Sequence, residues 1–308
     1  MGIQTQDIVM KAPTTGDLIK RYGFGRWFFH AARGDSPFKR MLIHMALIIF
    51  CMIALYPVMR IFSVSLRPGS RLLSTDLSLI PMDASWENYY NVLFNRPFMT
   101  WIWNSAIITF ATSFIGVFIA STAAYAYSRF DFPGRSVGMV FLLATQMIPA
   151  GMLMIPLYLI SVQLGLVNTW RGLVIAYSVQ SVPFSIWLLK GYYDTIPIEL
   201  EQSAMVDGAT RIQSFFLIIL PLSTPALAIA FLFNFTAAWN EFILARIMLQ
   251  QAQLWTWPLG LASLQGQFST NWGEFSAGAL MVSIPVAALF LFSSKWLISG
   301  LTLGSVKG

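Results

Sequence analysis

PIELEQSAMVDGATRIQSFFLIILP, residues 197–221, is a charged, amphipathic stretch set between two membrane-length apolar runs. A chain that only had to join two spans would use a short polar turn. Here the connection, 190–216, is long enough for a helix–turn–helix. Pro197 suits a first helical position, where a missing N–H leaves nothing unpaired. Glu199 and Glu201 follow in the first turns, where the positive end of the helix dipole favours carboxylates. Leu200, Ala204 and Val206 give partial apolar faces, and Gly208 ends the helix as a residue free to take positive φ. A second short helix is expected from Thr210 into the next span. A structured loop of this kind docks onto a partner.

Working outward, the composition excludes a water-facing globule. The 308 residues are 56% hydrophobic and 10% charged, against roughly 25% charged in soluble domains. The single cysteine, Cys51, excludes an internal disulfide and a cysteine metal site, and His30 and His44 are too few and too far apart for a metal cluster. No metal-ligating set is expected. The fold class expected is all-α and integral to the membrane, with six spans near the roughly 20 residues a bilayer requires. They read as 41–66, 101–127, 137–160, 171–189, 217–240 and 275–298. Pro149, Pro156, Pro183, Pro221, Pro225 and Pro285 fall in these runs; each marks either a bend around a pathway or a plain kink.

Lys and Arg placement sets the expected orientation. Residues 1–40 with the loops 128–136 and 190–216 and the tail hold 13 of the 19, and the other side holds six, including Arg60, Arg96 and Arg246. Both termini are therefore expected inside, together with the 190–216 loop between spans four and five. Trp101, Trp103, Trp170, Trp255, Trp257 and Trp272 fall near the outer ends, as an aromatic belt does. The first 40 residues are polar and lack a small-residue cleavage site, so they read as a basic cytoplasmic segment rather than a signal peptide. Residues 41–308 read as one transmembrane domain. The outer loop 241–273, rich in aromatic and amide side chains, is expected to fold over the outer mouth.

These residues carry a family resemblance. Gly208 is followed nine residues later by Ile218, then Ile219, Leu220 and Pro221, which resembles the cytoplasmic loop of permease subunits of ATP-driven (ABC) importers: E-A-A, three residues, G, nine residues, I-x-L-P. Gln202, Ser203 and Ala204 stand where that pattern has Glu-Ala-Ala, with Glu201 one place upstream. Asp207, Gly208 and Ala209 reproduce the Asp-Gly-Ala of the carbohydrate branch. SLRPGS (65–70), AYAYSRFDFPGR (124–135), QMIP (146–149), GYYDTIP (191–197), AAWNEF (237–242) and the ending GLTLGSVKG resemble the maltose-type sugar permease.

The resemblance implies a loop helix seated in a cleft of a separate ATPase dimer, a homologous permease as second half of the pore, and an extracytoplasmic sugar-binding protein delivering cargo. It also implies that the tail Gly304, Ser305, Val306 and Lys307 reaches between the ATPase subunits, in place of the frayed end that a terminus otherwise suggests. On this reading Glu201 carries the ionic contact to a basic socket that Gln202, uncharged, does not.

The chain has no G-x-x-x-x-G-K-[ST] sequence, so ATP and its magnesium belong to the partner and no cofactor is expected on this chain. No catalytic constellation emerges, and no enzyme activity is expected. Nucleic acid is not an expected partner, because topology accounts for the positive charge. Candidate pathway groups are Gln146, Tyr177, Gln180, Asn234, Thr236, Trp239, Asn240 and Glu241: hydroxyls and amides suit a sugar, and the alternative is hydrogen bonding between helices. A maltose-like oligosaccharide is the first cargo considered. Another oligosaccharide, a polyol or glycerol phosphate is the alternative, and a proton-coupled carrier the rival of another class. Against the carrier, Glu241 and Glu274 lie at span ends and not within them.

Overall fold

A computed structural model describes residues 36–68, 78, 80–266 and 270–303, the last seven as backbone only. The described residues are almost entirely helical; the exception to helix and turn is one isolated bridge between Gln265 and Thr270. The chain divides into two units, one ending at Ile61 and the other beginning at Phe62. The N-terminal segment 1–35 and the tail residues Gly304, Ser305, Val306 and Lys307 lie outside the described residues.

Helix α1, Pro37–Ser65, carries an 18-residue window apolar enough to cross a membrane. Through the first unit its Leu47, Phe50, Met52 and Ile53 side chains are exposed, as is Cys51.

In the second unit α2 (Phe98–Arg129) and α5 (Trp170–Tyr193) pack along each other, and α8 (Thr224–Trp239) lies against both. The reason is legible on α2. Ser105, Thr109, Thr112, Gly116, Ala120 and Ala124 recur at three- and four-residue spacing and are all buried. Phe110, Phe114, Phe118 and Ile119 point outward. This inverts a soluble helix: in lipid, contact between helices comes from small residues that let backbones approach, while large apolar groups face the hydrocarbon. Gly116 shows the constraint, since a Cβ there would stand 3.2 Å from Asn234 Nδ2 of α8.

Two expected spans are not straight rods. The third breaks into α3 (Arg135–Gln146) and α4 (Ala150–Gln163), bent by 102° at Met147–Pro149. The fifth breaks into α7 (Arg211–Leu222) and α8, bent by 77°. Proline is the cause at the second break. Pro225 has no N–H for the Pro221 carbonyl, which instead accepts from Thr224 Oγ1 at 2.7 Å, while Ser223 Oγ donates to Ile219 O. Five residues of α7, Phe215–Ile219, are wound as π-helix. Among the described residues four helices are thus long and apolar enough to span alone, or up to six if each bent pair is one span. The last is α11, Trp272–Leu303, which carries Pro285.

The described part of the 241–273 loop folds onto the bundle through α9 (Ile243–Met248) and α10 (Trp257–Ala262). Leu244, Ala245, Met248 and Leu259 join Ile108, Leu173 and Ala176 in one core cluster. Asn104 donates to the carbonyls of Gln253 and Trp255 at 2.8 and 2.9 Å, and Ser105 Oγ accepts from Trp257 N at 2.7 Å. Trp101, expected in an aromatic belt, is instead buried against Leu261, with Gly260 so close that a Cβ there would lie 2.0 Å from its ring. Trp103, two residues on, is the exposed one.

Candidate functional site

The loop 190–216 builds its helix–turn–helix from local rules. Helix α6, Glu199–Val206, ends in a Schellman motif: Gly208 takes φ +92° and donates to Met205 O, and Ala209 N donates to Ala204 O at 2.9 Å. Thr210 then opens α7 with a capping box, its Oγ1 accepting from Gln213 N while Gln213 Oε1 accepts from Thr210 N at 2.7 Å. Pro197 precedes the helix, its carbonyl accepting from Leu200 N.

Helix α6 sends its two acidic residues to opposite sides. Glu199 points out, but Glu201 is 4% exposed and turned into the protein. One of its carboxylate oxygens accepts from Tyr125 Oη at 2.6 Å and the other pairs with Arg129 Nε. Arg129 also donates through Nη2 to Ile196 O at 2.9 Å and through Nη1 to Ser128 Oγ at 3.0 Å. Ser128 Oγ in turn donates to Asp194 Oδ1 at 2.7 Å. A buried carboxylate needs this: its charge is tolerable only with a counter-charge and further hydrogen bonds.

Two separate stretches, 124–135 and 191–197, are therefore one construction that clamps α6 to the end of α2. Tyr125, Ser128, Arg129 and Asp194 were not singled out by sequence reasoning, which used Arg129 only as a topological charge. Their joint signal was their place inside those two stretches.

What α6 and its turn leave outward is mostly apolar or neutral. Ile198, Leu200, Met205, Val206 and, beyond the turn, Ile212 are exposed, Val206 at 88%. Gln202, Ser203, Asp207 and Gly208 share that exposure, while Ala204 and Ala209 are half-buried. In the I-I-L-P segment Ile218 and Leu220 are half-buried and Pro221 exposed. The residues inserted in the core are Phe215 and Ile219, against Tyr125, Leu189 and Tyr193. Arg211 lies over the Phe130 ring, 5.1 Å from its centroid.

The pathway candidates divide into two groups. A cavity of about 620 Å³ opens where the α3–α4 break meets α2, α5 and α8, and Gln146, Tyr177, Gln180, Asn234 and Glu241 all line it. Gln146 Nε2 donates to Gln180 O at 3.2 Å across the two elements. Thr112 and Ser181, which the sequence reading passed over, also line it. Glu241 is held at the start of α9, its two oxygens accepting from Leu244 N and Ala245 N at 2.9 and 3.1 Å.

Trp239, Asn240 and Thr236 are not among the lining residues. Trp239 is buried with its Nε1 donating to Val282 O at 3.2 Å, and Asn240 Nδ2 donates to Thr236 O at 2.8 Å. Thr236 bonds back to Leu232 O at 2.9 Å. Among the described residues no group of His, Cys, Asp and Glu could hold a metal ion.

Comparison with known proteins converges. A family model described as the binding-protein-dependent transport system inner membrane component matches residues 113–301. The maltose/maltodextrin transport system permease protein MalG of Salmonella typhimurium is 35% identical over 292 residues, covering 89% of this chain and 98% of that protein. The galactooligosaccharides transport system permease protein GanQ of Bacillus subtilis is 35% identical over 274 residues, with 87% and 96% covered. Among solved structures, a chain of a bacterial ABC transporter involved in the import of the acidic polysaccharide alginate matches with TM-score 0.74 at 26% identity. It covers 86% of this chain and 99% of its own.

Proposed function

This chain belongs to the binding-protein-dependent transport system inner membrane components, and from that premise we propose how a multi-pass permease subunit of a sugar ABC importer works here. The proposed topology has six spans, counting each bent pair as one, with both termini on the cytoplasmic side. The 13-to-six division of Lys and Arg supports it. The chain supplies half of a translocation pore whose other half is a homologous permease. A separate ATPase dimer supplies the energy, and an extracytoplasmic binding protein delivers the sugar. The tail 304–307 reaches toward the ATPase pair.

The observation that carries the coupling reading is the two-sidedness of α6. Its inner side is fixed to α2 by Glu201, Arg129 and Tyr125. Its outer side offers Ile198, Leu200, Met205 and Val206, an apolar knob fit for a cleft on a partner. Nucleotide-driven closure of the ATPase dimer would move that knob, and the ion pair would pass the movement to α2. Gln202 contributes a neutral hydrogen-bonding contact at the same surface. For cargo, the MalG and GanQ likenesses favour a neutral oligosaccharide, with maltodextrins first.

The test is ATPase activity of proteoliposomes holding this chain with its co-purifying partners, with and without sugar-loaded binding protein. Stimulation by a maltodextrin-loaded protein is expected. Stimulation only by galactooligosaccharide or alginate oligomers reassigns the cargo. Absence of any co-purifying ATPase, or hydrolysis indifferent to every loaded protein, refutes the importer mechanism.

A further inference from the structure

The cavity at the α3–α4 break holds more polar valence than the chain itself uses. Thr112 Oγ1, Ser181 Oγ and Asn234 Nδ2 are buried and have no hydrogen-bond partner, and all three residues line it. Thr112 is 0% and Asn234 2% exposed. Asn234 keeps one end of its amide on Ser185 Oγ, at 3.1 Å, and leaves the other unpaired. Gly116 packs directly against these groups, since a Cβ there would come within 3.2 Å of Asn234 Nδ2 and 3.7 Å of Ser181 Oγ. Native proteins rarely leave such groups unmatched, and where they do an unseen partner is the usual reason.

The chemistry of the lining selects among partners. It holds hydroxyls and amides on walls of Leu142, Met147, Pro149, Leu153 and Ala238, and among the described residues no Lys or Arg lines it. Its carboxylate, Glu241, is anchored by two backbone N–H groups. Hydroxyls both donate and accept, so Thr, Ser, Asn and Gln side chains match a ligand that does the same. An acidic ligand would bring an unpaired carboxylate next to Glu241 with no cation to receive it, an arrangement strongly disfavoured away from water. The volume, about 620 Å³, lies within the range of small-molecule sites, roughly 300–1,000 Å³.

We propose that this cavity is a binding subsite for a neutral sugar unit and that it rejects uronate-type acidic sugars. The inference rests on the importer reading and deepens it, placing a sugar contact and a charge filter in this subunit.

The test uses the assembled complex of the full chain with its partner permease and ATPase in nanodiscs, without binding protein, titrated with radiolabelled maltose and with digalacturonate. Maltose is expected to bind saturably and digalacturonate at least tenfold more weakly. Thr112→Val, which keeps the shape and deletes the hydroxyl, and Asn234→Leu should each weaken maltose binding about tenfold, the worth of a hydrogen bond. Ala237→Arg, adding a cation to the lining, should bring digalacturonate binding up. Gel filtration of each variant complex establishes assembly, and Thr112→Val stands in if Asn234→Leu does not assemble.

No maltose binding, unchanged binding in both variants, or digalacturonate binding equal to maltose each overturns the proposal. ATPase stimulation by loaded binding protein, measured on the same preparations, keeps the two readings apart. Stimulated hydrolysis with unaltered maltose binding in the variants removes the subsite alone. Absent stimulation removes the importer mechanism.

Discussion

Replacing Arg129 with Met deletes the counter-charge of Glu201 while keeping much of the apolar stem. The side chains of the pair are 7% and 5% exposed, so water cannot take over for the missing guanidinium. The carboxylate keeps one partner, Tyr125 Oη at 2.6 Å. Removing one member of a buried ion pair costs about 3–5 kcal/mol. An eight-residue helix such as α6 has little stability of its own, so the loss should appear as release of α6 from α2 and not as unfolding of the bundle. At about 1.4 kcal/mol per tenfold change, the docked-to-released ratio falls by roughly 10²-fold to a few thousand-fold.

Hydrogen exchange over residues 197–210 in the assembled complex reads that ratio, and sugar transported per ATP hydrolysed reads its consequence. Arg129→Met should speed exchange and lower the transport yield. Arg129→Met combined with Glu201→Met should recover most of both, because an apolar pair of similar volume commonly replaces a buried ion pair without loss. Additive single and double variants, showing no interaction energy between the two positions, would refute the clamp.

Three further outcomes follow from particular contacts. Gly208→Ala meets no neighbour within 4 Å but must hold φ +92°, so it should cost about 1–2 kcal/mol as pure backbone strain and speed exchange at the α6–α7 turn; Gly208→Asn should cost less. Thr210→Ala removes one half of the capping box and should destabilise the first turn of α7 by about 1 kcal/mol, with Thr210→Ser near wild type in the same exchange experiment. Gly260→Ala drives a methyl into the Trp101 ring and should cost about 1–3 kcal/mol in thermal stability of the complex. Trp101→Leu in the same chain should relieve part of that loss.

Much of the fold could be read from the chain. Apolar runs of membrane length mark the spans, and Gly208 with Thr210 marks the helix–turn–helix, because these depend on local rules. The bends did not follow from the runs alone. Pro149, Pro183 and Pro225 all fall in apolar runs, yet the chain breaks at the first and third and continues through Pro183; the surrounding packing decides which freed carbonyls find new partners.

The inward turn of Glu201 was hidden for another reason. ELEQSAMV is too short and too weakly amphipathic to fix which side faces the protein, and the deciding partner, Arg129, is 72 residues away. The cavity was half legible. Gln146, Gln180 and Asn234 stand out as amides in apolar runs, whereas Thr112 is one more small residue in a stripe of small residues. Its spacing from Gly116 and Ala120 was the available clue.

Among the described helices long enough to span alone, α2 is the one without an internal proline; α1, α5 and α11 carry Pro57, Pro183 and Pro285. At 32 residues it is a stiff rod of about 48 Å. Arg129 lies at one end, Thr112 and Gly116 stand along its middle, and Asn104 and Ser105 grip the 253–257 loop near the other. A pivot anywhere along such a rod converts a tilt at Arg129 into displacement at the cavity and at the 253–257 loop, with no hinge to absorb it. On the coupling proposed above, such a rod has gearing but little slack, and the amplitude of opening would be set by where it pivots rather than by how hard α6 is pushed.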